Sequence, residues 1–193
     1  MAKILKNKIS QYNKIREKLK TGDVVAFQGS DAGALAIQKG TNSNYSHVGL
    51  VIRFSDIDRN FILESVVPKG VMLMPLSRKL LYYKGGAWWV PLDDKRPNIT
   101  DEVRKQIYYA AMQDLGREYD YNLIGGIISK ITGLSSRIKD DDFGSFICSE
   151  LVASTYKIAG IFPKAMVTSE TWPVHIVNLP FMGMPIAMIE LQK

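Results

Sequence analysis

The sequence predicts an α+β fold: an antiparallel sheet, or a partly open barrel, packed against helices. Three observations predict it. Short β-rich runs crowd the first half of the chain. Helical periodicities fill the second half. No strand–helix–strand alternation, which would signal a parallel sheet, is visible between the runs.

The elements follow in order. Residues 3–19 carry Ile4, Leu5, Ile9, Tyr12, Ile15 and Leu19 at roughly helical spacing with lysines between them, which predicts a basic amphipathic helix. Thr21-Gly22-Asp23 reads as a turn. Val24–Phe27, His47–Ile52, Phe61–Val67, Val71–Pro75 and Ala87–Leu92 are rich in Val, Ile, Phe and Trp and bounded by turn formers, so they read as strands. Arg53–Asn60 is polar and short, which predicts a hairpin between the second and third. Thr100 is placed to cap a helix with Asp101 and Glu102 in its first turn and Gly116 beyond its end. Tyr121–Ile131 is an apolar segment containing glycines, and Gly133–Asp142 reads as a loop. Phe146–Ala159 reads as a helix with Gly160 at C′. A strand is expected at Ile186–Leu191.

Two parts are expected: the basic N-terminal helix, residues 1–20, and one domain, residues 21–193. A chain of 193 residues suits that size. Residues 1–20 hold seven basic side chains against Glu17 alone, which accounts for the whole net charge of +6. The remainder is balanced, so a broad nucleic-acid-binding face is not expected. The basic helix is read first as packed on the domain, with a weak contact to an anionic membrane as its alternative. No run reaches the ~18 apolar residues of a membrane span, and no secretory signal is visible, so a cytoplasmic location is expected.

One cysteine and two histidines leave too few soft ligands for the usual metal sites, so no metal or cofactor is expected. The chemistry must then come from side chains. Cys148, in Phe146-Ile147-Cys148-Ser149-Glu150, falls in the first turn of a helix capped by Gly144 or Ser145. Free N–H groups and the macrodipole favour a thiolate there. A buried apolar cysteine is the bland alternative. His47 opens an apolar strand in Ser46-His47-Val48-Gly49 and is preferred as the base over His175, which lies in an irregular, proline-bearing stretch. Glu64 is a carboxylate inside the apolar strand Phe61-Ile62-Leu63-Glu64-Ser65-Val66. A hairpin centred near Asp56 or Ile57 brings it nearly opposite His47, as the partner that orients the ring.

These blocks carry a resemblance. Gly22-Asp23-Val24-Val25, Ser46-His47-Val48-Gly49, Leu63-Glu64, Gly116-Arg117-Glu118-Tyr119-Asp120 and Phe146-Ile147-Cys148-Ser149-Glu150-Leu151 resemble, in that order, the permuted branch of the NlpC-type papain-like superfamily. The YiiX-like proteins are the nearer relatives and the lecithin:retinol acyltransferases more distant ones. The resemblance spans about residues 20–173 and implies a circularly permuted papain-like fold, with histidine first and nucleophile last. It implies Cys148 as nucleophile, His47 as base and Glu64 as the orienting residue. Tyr119 resembles a tyrosine that stands near the nucleophile in relatives. It is a candidate substrate or oxyanion contact, with plain packing as the alternative. Asp23 resembles a recurrent structural aspartate. Leu123–Ile138 matches no block of that family.

The function this implies is a cysteine hydrolase of the amidase or peptidase class, acting on an amide or ester through a thioester. The substrate is then a small peptide, an amide or an acyl lipid; NlpC-type relatives often cut cell-wall peptides at γ-glutamyl links. A lipid-directed thioesterase or acyltransferase, and a binding or structural module with a vestigial triad, are the alternatives. Oligomeric state is not readable from the sequence.

Overall fold

The computed structural model describes residues 9–66, 69–118 and 144–189. Its elements are α1 (Ser10–Ile15), β1 (Val24–Phe27), α2 (Ala32–Thr41), β2 (His47–Phe54), β3 (Arg59–Val66), β4 (Gly70–Pro75), α3 (Leu76–Tyr82), β5 (Ala87–Val90), α4 (Asp101–Gln113), α5 (Gly144–Ile158), α6 (Pro173–Val177) and β6 (Ile186–Ala187). The strands form one sheet in the order β4-β3-β2-β1-β5-β6. Every pairing is antiparallel. The sheet is open rather than closed into a barrel.

Both faces of the sheet are covered, which explains why β1 reads as a continuous apolar run instead of an alternating one. All four residues of β1 are buried. Val24 and Ala26 join Val48, Leu50, Ile52, Leu63 and Val90 under Ile107 and Ala111 of α4 and Leu151, Val152 and Tyr156 of α5. Val25 and Phe27 join Val51, Ile62 and Trp89 on the other face, under Tyr12, Leu19, Leu76 and Leu80. The helix expected at 3–19 is described only from Ile9. There it is an α-helix over Ser10–Ile15 followed by a 3₁₀ turn at Arg16–Lys18. Tyr12 and Leu19 are buried, and Ile9 and Ile15 pack beside them. The apolar stripe in this stretch is therefore turned onto the sheet.

Two helices depart from expectation. α2 stands between β1 and β2, and α3 between β4 and β5. Strands and helices thus do alternate here, while the pairing stays antiparallel. α2 escapes a periodicity reading because only Gly33 and Ala34 are buried, so it has no apolar stripe. What makes it a helix is local: Asp31 caps it by accepting from Ala34 N at 2.8 Å, and Asn42 ends it in the left-handed conformation. α3 has seven residues and no side-chain cap, and it is held by Leu76 and Leu80, one turn apart and both fully buried. α4 begins as expected, with Thr100 Oγ1 accepting from Val103 N at 3.2 Å. The terminal strand is shorter than expected, Ile186–Ala187, and its expected end lies outside the described residues. No described helix is long and apolar enough to cross a membrane.

A buried ion pair ties the turn before β1 to α4. Asp23, 1% exposed, accepts from Arg104 Nη1 at 3.0 Å, Trp89 Nε1 at 2.8 Å, Leu92 N at 3.1 Å and Lys20 N at 2.9 Å. Arg104 also donates to Thr21 O at 2.7 Å and to Asp94 Oδ1 at 2.6 Å. Burial pushes the Asp23 carboxyl up despite this donor set. The contacts suit the structural part the resemblance implied for this aspartate.

Candidate active site

The hairpin of β2 and β3 builds the centre of the site. Its pairing runs from Leu50 opposite Leu63 to Phe54 opposite Arg59, with a 3₁₀ turn at Ser55–Ile57. In that register His47 and Glu64 are diagonal neighbours on one face, two residues from direct opposition, where the sequence placed them nearly opposite. The parity is the same, so the two side chains still meet. His47 Nε2 lies 2.8 Å from Glu64 Oε2. Gly49 makes room for Ile62 of β3 beside this pair, since a Cβ there would come within 2.5 Å of Ile62 Cδ1. Ser46, just before His47, accepts from Gly29 N at 2.8 Å and so ties the β1–α2 loop to the start of β2.

Cys148 reaches the same point from α5. The helix begins at Gly144, slightly earlier than expected, so Cys148 is its fifth residue and lies just past the first turn instead of inside it. Its position is fixed by the sheet: Val48 N–H donates to Cys148 Sγ at 3.4 Å. The backbone makes this donor available. Alternate N–H groups of a strand point to opposite neighbours. Val51 N bonds to Asp23 O at 2.7 Å, on the β1 side, so Val48 N points toward β3. The β2–β3 pairing starts only at Leu50, which leaves that direction open to the sulfur.

His47 feels both sides: Glu64 is hydrogen-bonded to its Nε2, and Cys148 acts on the same ring. Burial by itself would lower the imidazole pKa. The influence of Cys148, then the bond to Glu64 and its charge, outweigh burial and raise His47 from 6.5 to about 9. Glu64 is 1% exposed. Burial would raise its carboxyl, yet His47 and Lys79 together hold it below its ordinary range.

Lys79, which the sequence did not mark, donates to both carboxylate oxygens of Glu64, at 2.7 and 2.9 Å. The competitor His175 lies elsewhere: its Nδ1 accepts from Trp172 N at 3.2 Å at the start of α6, and it is exposed. Tyr119 and the segment Leu123–Ile138 lie outside the described residues.

A family model described as "Permuted papain-like amidase enzyme, YaeF/YiiX, C92 family" matches residues 18–171. The chain belongs to this family. Among solved structures, this family member is similar to one titled the metalloprotein yiiX from Escherichia coli O157:H7. The identity is 19%, the TM-score 0.54, and the match covers 88% of this chain and 97% of that one. At that identity the likeness speaks to the fold alone. No curated protein matches the chain. Among the described residues of this amidase-family chain, no three or more His, Cys, Asp or Glu side chains group as metal ligands would.

Proposed function

We propose that the chain is a cysteine-nucleophile amidase in which Cys148 attacks, His47 carries the proton and Glu64 orients the ring. The observation that carries this reading is the 2.8 Å contact of His47 with Glu64, together with the influence of Cys148 on the same imidazole and the Val48 N–H bond that fixes the sulfur beside it. Glu64 occupies Nε2, so Nδ1 is the nitrogen this reading assigns to the sulfur. The Cys148 proton passes to Nδ1, and Sγ bonds to the acyl carbon of the substrate. The C–N bond then breaks as His47⁺ returns the proton to the leaving amine. Water, deprotonated by His47, attacks the thioester and releases the acid together with the Cys148 thiol. An ester follows the same course with an alcohol as leaving group. An amine or alcohol in place of water would make the same proton steps an acyl transfer.

Membership of an amidase family supports the amide as the scissile bond, and a small peptide or amide as the substrate class. The test is trapping of the acyl-enzyme. p-Nitrophenyl acetate, mixed with the protein and quenched, should leave one acetyl group on Cys148, read by intact mass and peptide mapping. His47→Ala should slow this by about 10²–10⁴-fold, the scale of general-base assistance. Acetylation at an equal rate in wild type and His47→Ala would overturn the reading.

A further inference from the structure

We propose that Lys79 is a positioning residue of this site, holding the Glu64 carboxylate toward His47 and supplying the charge that leaves the reactive cluster neutral. The inference rests on the roles proposed above for Cys148 and His47.

The geometry of Lys79 is that of a fixed group, not a solvated one. Its Nζ lies 2.7 Å from Glu64 Oε1 and 2.9 Å from Oε2, and its side chain is 20% exposed. The same nitrogen stands 5.4 Å from the centre of the Phe27 ring and 5.9 Å from that of Tyr83. Phe27 in turn packs 5.7 Å from the His47 ring. The base and the lysine therefore flank one aromatic side chain and share one carboxylate. α3 delivers the lysine. Leu76 and Leu80 anchor that helix in the core, on either side of position 79. Leu76 directly follows β4, which carries Met72 opposite Glu64.

Charge counting shows what the lysine adds. In the reactive state Cys148 is a thiolate, His47 an imidazolium and Glu64 a carboxylate. These three sum to one negative charge in a largely dry setting, where an uncompensated charge is unfavourable. Lys79⁺ brings the sum to zero. Without it, the cluster becomes neutral most readily by retaining a proton, and the thiolate is the form lost. The other titratable groups nearby do not replace the lysine. Tyr83 feels the charges of Asp31, Glu64 and Cys148, and burial followed by those three charges raises it well above its ordinary value, so it stays neutral. Asp31, which caps α2, adds negative charge.

The experiment follows the rate of Cys148 alkylation by iodoacetamide as a function of pH. The chain holds one cysteine, so the signal reports that site alone. Lys79→Met should move the onset of alkylation up by about one pH unit, a tenfold loss of rate on the acid side. Lys79→Arg, which keeps the charge, should restore the wild-type onset. Glu64→Gln combined with Lys79→Met removes one charge of each sign and should return the onset toward the wild-type pH. If Lys79→Met does not fold, judged by circular dichroism, Lys79→Gln carries the same expectation. An unmoved onset in the lysine variants, or the same shift in the single and double variants, would overturn the proposal. His47→Ala separates this from failure of the underlying reading. If it leaves the alkylation profile unchanged, the proposed roles of Cys148 and His47 fall, and the role of Lys79 falls with them. If it alters the profile while Lys79→Met does not, only the lysine proposal is lost.

Discussion

His47 and Glu64 meet at 2.8 Å, Nε2 to Oε2, although their positions are offset by two residues across the β2–β3 hairpin. The contact takes up Nε2 and leaves Nδ1 available to a second partner. Of the influences that raise His47, the charge on Cys148 ranks first, ahead of Glu64. Cys148→Ala should therefore lower the His47 titration midpoint from about 9 by more than Glu64→Gln does. In a variant lacking both partners, burial should carry the midpoint below the ordinary 6.5. NMR titration of the imidazole signals tests this directly, because the chain holds two histidines and His175 lies at a separate place. An equal fall in the two single variants would contradict the assigned order of influences.

Glu64 also links the site to acid stability. Its folded-state pKa lies below its ordinary 4.5. Its contribution is present above 4.5 and is lost as pH falls through the folded value. Wild type should thus lose more stability between pH 6 and pH 3 than Glu64→Gln does, whatever the variant's stability at neutral pH. Urea unfolding at a series of pH values measures the difference. Parallel curves would mean that the carboxylate gains nothing from His47 and Lys79.

Much of the hairpin was legible in the sequence because covered strands announce themselves. Val24–Phe27 needed no adjustment, and a polar stretch between two apolar runs set the turn near Asp56. Glu64 stood out because a carboxylate in an apolar strand calls for a partner. The diagonal offset from His47 was not legible, since it depends on pairing that no single strand encodes. α2 and α3 were missed for related reasons: one buries only Gly33 and Ala34, and the other is seven residues long. Lys79 was invisible because it stands next to Arg78 in an unrecognised helix, and nothing in its spacing marks it. Val48 could not be found from side chains at all, as its contribution to Cys148 is a backbone N–H.

The Asp23–Arg104 pair should behave as a structural device. Arg104 is 7% exposed and Asp23 1%. Removing the guanidinium leaves a carboxylate in the interior with neutral donors only. Arg104→Met should cost about 3–5 kcal/mol. Chemical denaturation followed by tryptophan fluorescence is suited to the measurement, since Trp89 donates to the same carboxylate at 2.8 Å. A loss under about 1 kcal/mol would place this pair with weak surface ion pairs.

Gly49 offers a separate test of whether sheet packing sets the site. A Cβ at this position would lie 2.5 and 2.6 Å from two carbons of Ile62 and 3.3 Å from Leu63 O. Gly49→Ala must then push β2 from β3 beside His47, or turn the Ile62 side chain, at a cost of about 1–3 kcal/mol. Displacement of β2 would also move Val48 N away from Cys148 and His47 away from Glu64. Gly49→Ala should therefore slow Cys148 acetylation even where the protein remains folded. Gly49→Ala combined with Ile62→Val, which trims the clashing Cδ1, should recover part of the rate. Recovery of stability without recovery of rate would show that the packing of Ile62 and the alignment of His47 are independent.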